Sequence, residues 1–129
     1  MTDDELIKKS REAAAEAYCP YSNFPVGAAV IAEDDKLYLG CNIENAGYGL
    51  TVCAERTAIF NAVSAGNKRI KVVAVTCLKG DKSDPGSLMC CGACRQVISE
   101  FLDDNGKILV DGVGSFTMDE MLPLRFKLP

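Results

Sequence analysis

The stretch CAERTAIFNAVSAGNKRIKVVAVTCL, residues 53–78, predicts a helix followed directly by a buried strand. Apolar residues recur at helical spacing in its first half: Ala54, Ala58, Ile59, Ala62 and Val63. We therefore expect a helix from Cys53 to Ser64, with Gly66 as its end. The second half, Ile70–Leu78, is rich in β-branched residues and predicts a central strand of a sheet.

The segments before this stretch predict one helix and two strands. A capping box at Thr2–Glu5 predicts a helix within the first twenty residues. Val26–Ala32 is an apolar run typical of a buried strand, and a turn at Asp34-Asp35 leads into a second strand, Lys36–Cys41. Residues 42–51 show no periodicity, which predicts a loop, and a loop of this length is more often functional than idle.

The segments after the stretch continue the alternation of helices and strands. Cys91–Leu102 predicts a third helix, and Asn105-Gly106 separates it from a short strand, Lys107–Val110. A second capping box, Thr117–Glu120, predicts a short helix near the end of the chain. This order predicts an α/β fold, a three-layer α/β/α sandwich with a central mixed β-sheet, in a single domain that spans residues 1–129.

The composition excludes several classes of protein. Fourteen basic and eighteen acidic side chains give a net charge of −4, which disfavours binding to nucleic acid. The apolar runs are too short to span a bilayer, and no secretory signal is expected, so we expect no membrane partner. Seven cysteines then favour a reduced, cytoplasmic protein. The absence of histidine excludes Ser-His and Cys-His catalysis and any histidine-ligated metal.

Three of the cysteines stand at the starts of two predicted helices, in Cys53-Ala54-Glu55-Arg56 and in Cys91-Gly92-Ala93-Cys94. The Cys-x-x-Cys spacing lets two thiolates bind one ion, and a third sulfur leaves the fourth position of a tetrahedral zinc open, as catalytic sites do. Glu55 lies close enough to face that position and to move a proton. Arg56 is placed to offset the charge of −1 that three thiolates leave on Zn²⁺.

Each of these residues also has a plainer interpretation. Cys91 and Cys94 alone fit a structural zinc or a redox pair as well as a catalytic site. A Glu in a first helical turn usually complements the helix dipole, and an Arg there is usually a solvated charge. A fourth protein ligand would indicate a zinc-stabilised binding module without catalysis, and Cys90 is the candidate for that ligand.

Longer motifs resemble those of one enzyme family. The motifs are Cys-Ala-Glu-Arg-Thr-Ala at 53–58, Cys-Gly-Ala-Cys-Arg-Gln at 91–96, Tyr-Ser-Asn-Phe-Pro-Val-Gly-Ala at 21–28 and Asn-Ile-Glu-Asn-Ala at 42–46. Together with Leu122-Pro123 and Phe126 they resemble the small, homotetrameric, zinc-dependent cytidine deaminases over nearly the whole chain. The resemblance implies hydrolysis of cytidine, and of 2′-deoxycytidine, to the uracil nucleoside and ammonia in pyrimidine salvage.

The resemblance also implies a role for individual residues. The zinc ligands, one ion per chain, would be Cys53, Cys91 and Cys94. Glu55 would take a proton from the attacking water and protonate N3 of the pyrimidine. The implied substrate contacts within the chain are Asn42 and Glu44 to the ribose hydroxyls, the Ala54 backbone to the pyrimidine edge, and Phe24 to the base. Ala46, Gly47, Tyr48 and the ring of Phe126 would reach the site of a neighbouring subunit.

Two departures from the family pattern and one alternative substrate class remain. Position 90 is usually proline but is Cys90 here, and Gly47 stands where a small polar or sulfur side chain is common. Neither change removes a catalytic group. The alternative is a deaminase of a nucleotide, of a modified nucleoside antibiotic or of a base within nucleic acid. A nucleotide or a nucleic acid would call for a basic patch near the site. The acidic composition and the lack of a Lys/Arg cluster in residues 24–48 count against both substrates.

Overall fold

The computed structural model describes all residues, 1–129, and contains one five-stranded sheet. Its strands are β1 (Val26–Ala32), β2 (Leu37–Cys41), β3 (Ile70–Cys77), β4 (Leu102–Val110) and β5 (Gly114–Phe116). The order across the sheet is β2-β1-β3-β4-β5. Strand β1 runs antiparallel to β2 and β3, β4 runs parallel to β3, and β5 runs antiparallel to β4. The predicted mixed sheet is therefore confirmed.

Four helices cover the two faces of this sheet: α1 (Asp3–Ala14), α2 (Ala54–Ser64), α3 (Gly92–Phe101) and α4 (Met118–Met121). Helix α1 lies on one face, where Leu6 packs with Ala29, Ala74 and Leu109. The other three helices lie on the opposite face and form the larger core with the alternate residues of the strands. The three-layer α/β/α sandwich is thus confirmed. No helix has both the length and the apolar character needed to span a membrane.

Two glycines let helices lie directly on strands. A Cβ at Gly27 of β1 would stand 2.0 Å from the Ser10 carbonyl oxygen of α1. A Cβ at Gly40 of β2 would stand 2.3 Å from the Ala58 nitrogen of α2. Any side chain at either position would push the helix off the sheet, so both glycines set the distance between layers.

The largest differences from the predicted elements lie near the C-terminus. Strand β4 begins at Leu102, directly after α3, and not at Lys107. Ile70 of β3 pairs with Leu102 of β4, and Val72 pairs with Lys107. Between these two pairs β4 advances by five residues while β3 advances by two, so the register shifts. The Asn105-Gly106 signal therefore marks an irregularity within the strand and not its start. Strand β5 was not predicted, because three residues are too few to show a period.

Candidate active site

The N-termini of α2 and α3 bring three cysteine sulfurs together. Cys53 immediately precedes α2, Cys91 immediately precedes α3, and Cys94 lies buried in the first turn of α3. The three Sγ atoms all lie within 4.8 Å of one another, with Cys53 and Cys91 3.9 Å apart. Both helix ends direct positive partial charge at the sulfurs, which favours thiolates there.

The electrostatics of this group favour at least one thiolate. The hydrogen bond from Cys94, aided by the Arg56 guanidinium, lowers the pKa of the Cys53 thiol to about 5 despite its burial. The pKa of Cys94 is raised in turn, because it donates to Cys53 and is buried. Nη2 of Arg56 donates to Cys53 Sγ at 3.5 Å, while its buried Nε has no hydrogen-bond partner.

This donor set fits a zinc ion. Three converging sulfurs, one already favoured as a thiolate, are ligands that zinc prefers, and three protein ligands leave one tetrahedral position for water or substrate. Cys90 is not part of the sulfur group. The geometry therefore gives no fourth cysteine ligand, which the hypothesis of a zinc-stabilised binding module requires.

Glu55 is a buried carboxyl group beside these sulfurs. It is the second residue of α2, is 4% exposed, and lines the same cavity as Cys53 and Cys91. Burial raises the pKa of Glu55 above its ordinary value, and the neighbouring Cys53 adds to this effect. A carboxyl group with a raised pKa is suited to accept and release a proton near neutral pH.

The cavity itself has a volume of about 390 Å³, within the range of small-molecule sites. Of the residues predicted from the sequence, seven line it: Phe24, Asn42, Glu44, Cys53, Ala54, Glu55 and Cys91. Seven more were not predicted: Ser22, Val26, Thr51, Val75, Cys77, Ser87 and Met89. The sequence does hold a signal for Val75 and Cys77. They lie two residues apart in a predicted strand, so their side chains point to the same face of the sheet, the face that α2 covers.

Asn42 and Glu44 hold the wall of the cavity in place. Asn42 Oδ1 accepts from Val26 N and its Nδ2 donates to the Phe24 carbonyl, both at 2.9 Å. Glu44 accepts from the backbone N–H groups of Tyr21 and Ser22 at 3.0 Å and from the Ser22 hydroxyl. The Ser22 hydroxyl is the main reason that the pKa of Glu44 is lowered, so Glu44 is held as a carboxylate.

Four predicted substrate contacts are not among the cavity-lining residues of this chain: Ala46, Gly47, Tyr48 and Phe126. Tyr48 is 78% exposed at the start of a single 3₁₀ turn, Tyr48–Leu50. Phe126 is 68% exposed and lies beside Gln96 and Glu100 of α3. Both rings are thus available to a neighbouring molecule.

Comparison with known proteins agrees with this site. Residues 1–109, which include all three clustered cysteines, match the family model described as the cytidine and deoxycytidylate deaminase zinc-binding region. The chain belongs to this family. Zinc is accordingly the cofactor of the chain, and the Cys53–Cys91–Cys94 group is where the ion fits.

Individual relatives are similar over nearly their full length. A cytidine deaminase of Sporosarcina psychrophila is 46% identical, over 98% of this chain and 92% of its own. One from Halalkalibacterium halodurans is 43% identical, over 98% and 95%. The crystal structure of the Burkholderia pseudomallei cytidine deaminase superposes with a TM-score of 0.87 at 39% identity, covering 98% of this chain and all of that one.

Proposed function

We propose that this chain hydrolyses cytidine to uridine and ammonia, and 2′-deoxycytidine to 2′-deoxyuridine, as a zinc-dependent enzyme of pyrimidine salvage. The observation that carries the proposal is the Glu55 carboxyl, 4% exposed, in a cavity wall beside three clustered cysteine sulfurs. The family membership and the cytidine deaminases that resemble the whole chain support the same reaction.

In this reaction, each residue of the site has a defined task. When held by Cys53, Cys91 and Cys94, zinc supplies a Lewis acid that activates water. Glu55 takes a proton from the water and delivers it to N3 of the pyrimidine, so that C4 becomes open to attack. The oxygen of that water then bonds to C4. Glu55 carries the remaining proton, from the new hydroxyl on C4, to the amino group, and the C4–N4 bond breaks to leave a C4 carbonyl and ammonia. The raised pKa of Glu55 suits both steps, since the carboxyl must gain and lose a proton within one turnover.

The lining of the cavity favours a nucleoside over a nucleotide. None of the lining residues is a lysine or an arginine, while the fixed carboxylate of Glu44 lies in the wall. A 5′-phosphate would meet negative charge without a cation to pair with it. The Glu44 carboxylate and the Asn42 amide, which keeps one free N–H, suit the ribose hydroxyls.

Exposed apolar side chains support self-association as a homotetramer. They group at two places, beside a groove at Ile43, Leu50 and Phe60 and in the C-terminal segment at Leu124, Phe126 and Leu128. Such groups usually mark contacts with another protein. The copies would place the 46–48 loop and the Phe126 ring at a neighbour's cavity. We also infer a single domain over residues 1–129, and a cytoplasmic location because all seven cysteines are free.

The Glu55→Gln variant tests the reaction. We expect it to retain about one zinc per chain and to lose at least ~10²–10⁴-fold in kcat for cytidine, because the amide cannot carry the proton. The measurement is ammonia release, with metal content determined on the same sample. Glu12→Gln, exposed on α1 on the opposite face of the sheet, is the matched control and should behave like the unsubstituted chain. Near-normal turnover in Glu55→Gln would remove Glu55 from the mechanism.

The Phe126→Ala variant tests the composite site. We expect a higher KM for cytidine, because a stacked ring contributes about 1–3 kcal/mol per base, with the oligomer retained. Leu128→Ala in the same segment should leave KM unchanged. Light scattering of the unsubstituted chain at assay concentration gives its oligomeric state. A fully active monomer would contradict the shared site.

A further inference from the structure

Arg95 connects the segment just before α3 with the end of α4. It lies in α3, next to Cys94, but its guanidinium is bound to backbone carbonyl groups. Nε donates to the Cys90 carbonyl at 2.9 Å, and Nη1 donates to the Met121 carbonyl at 2.8 Å. None of the ion pairs in the structure involves Arg95, and its side-chain hydrogen bonds go to these two carbonyls.

Both carbonyls depend on this guanidinium. Cys90 is 4% exposed and Met121 is 2% exposed. Neither carbonyl oxygen accepts a hydrogen bond from the backbone. A buried carbonyl without a donor is costly, and a charged donor makes a stronger bond than a neutral one. Loss of Arg95 would therefore free both peptide groups to move toward other donors.

One of the two peptide groups adjoins a cysteine of the sulfur site, and the other adjoins the C-terminal segment. The Cys90 carbonyl belongs to the peptide bond that joins Cys90 to Cys91, so its orientation sets the direction from which the Cys91 sulfur approaches the other two. The Met121 carbonyl ends α4, where the C-terminal segment that carries Phe126 begins. One side chain thus restrains the approach to the sulfur group and the start of that segment.

We propose that Arg95 is a positioning residue of the zinc site, which holds Cys91 in register with Cys53 and Cys94 through the Cys90 carbonyl and anchors the C-terminal segment through the Met121 carbonyl. The role of this site in deamination rests on the proposed function, whereas the restraint on the three sulfurs does not. Its direct consequence is slow release of zinc, because a ligand held in place rebinds the ion before it escapes.

The Arg95→Met variant tests the proposal against a matched arginine. Arg69 donates to two carbonyls at the opposite end of α3, those of Leu102 at 2.7 Å and Glu100 at 3.4 Å, and also pairs with the Asp103 carboxylate at 2.9 Å. It lies outside the sulfur site, so it tests the loss of an equally well bonded arginine elsewhere. Zinc-loaded Arg95→Met and Arg69→Met are each mixed with a chromogenic zinc chelator near neutral pH. We expect release about tenfold or more faster for Arg95→Met and within about twofold of the unsubstituted chain for Arg69→Met. Thermal unfolding of both variants records the structural cost separately.

Two results would overturn the proposal: unchanged release in Arg95→Met, or equal acceleration in both variants, which would reduce Arg95 to a general stabilising contact. If Arg95→Met does not fold, Arg95→Lys replaces it, since a lysine keeps the charge but lacks the planar fork that reaches two carbonyls. Faster release by Arg95→Lys supports the proposal and unchanged release opposes it. A chain that holds zinc but does not deaminate cytidine would refute the proposed function and leave this comparison intact.

Discussion

Two polar groups lie on opposite faces of the sheet near the end of the same strand. On the α1 face, the hydroxyls of Ser10 and Thr76 lie 2.6 Å apart, and Thr76 donates to the Asp111 carboxylate at 3.0 Å. Arg11 completes this group, the Ser10 cluster, by donating to both oxygens of Asp111 at 2.6 and 2.8 Å. On the α2 face, the next residue, Cys77, lines the cavity of the sulfur site.

The two groups differ in how completely their polar atoms are paired. In the Ser10 cluster each hydroxyl and both carboxylate oxygens have a partner, and the cluster joins α1, β3 and the end of β4. In the sulfur site, Arg56 Nε is buried without a partner and three cysteine sulfurs face one another. Groups that satisfy one another stabilise a fold, whereas unsatisfied groups at a cavity indicate a place for a ligand.

Replacing the arginine of each group should give the largest difference between the two. We expect Arg56→Ala to lower kcat/KM about 10–100-fold with the fold largely intact, as loss of a partner to a metal ligand does. Without the guanidinium more negative charge stays on the sulfurs, so the pH at which the attacking water ionises should rise in the pH–rate profile. Arg11→Ala should change neither rate nor profile and should lower only stability. An unchanged profile in Arg56→Ala would show that the Arg56 charge does not affect the ionisation of the attacking water.

The Ser10 cluster should respond to pH through stability alone. The hydrogen bond from Arg11, aided by Thr76, lowers the pKa of Asp111. A carboxyl group with a lowered folded-state pKa stabilises the fold above its unfolded-state pKa of about 3.9, and this stabilisation is lost as the pH falls through the folded-state value. Asp111→Asn should therefore lower the free energy of unfolding by about 1–3 kcal/mol near pH 7.

The measurement is urea unfolding of both chains at neutral pH and at about pH 3, where the difference between them should shrink as Asp111 becomes protonated. Activity per folded chain should be equal at neutral pH. A difference that is the same at both pH values would show that the charge of Asp111 does not contribute. Loss of zinc in Asp111→Asn would show that the two faces are coupled and would end the contrast.

The two faces were not equally predictable from the sequence. Two groups, Cys53 with Glu55 and Cys91 with Cys94, could each be found from local signals at a helix start. The preference of zinc for several sulfur ligands then joined the two groups. The Ser10 cluster joins residues up to 101 positions apart, and no local pattern connects Ser10 with Asp111. Ser87 and Met89 reach the cavity on a loop whose path depends on a 3₁₀ turn, Pro85–Leu88, and that path has no period to detect. Local signals therefore identified the chemistry but only part of the cavity wall.

The smallest effect is expected at Cys90, beside the sulfur site but outside its group. Proline fits the backbone there, since the preceding Met89 has φ −83° and ψ 159°, the extended conformation that a following proline requires. The Cys90 N–H donates no hydrogen bond to the backbone, and proline keeps the carbonyl that Arg95 binds. Cys90→Pro should keep zinc and activity and change stability by less than about 1 kcal/mol.

Oxidation should not distinguish Cys90→Pro from the unsubstituted chain either. Burial raises the pKa of the Cys90 thiol well above its ordinary value, so the thiolate that reacts with peroxide is scarce. We therefore expect equal rates of inactivation by peroxide, with Cys90→Ala as the control that removes the sulfur without adding the ring. Zinc loss in both variants, with Cys53, Cys91 and Cys94 intact, would mean that Cys90 binds the ion. The site would then hold four cysteine ligands and no position for water, as structural zinc sites do. The sulfur site and the Ser10 cluster would then both be structural, and the contrast between them would be lost.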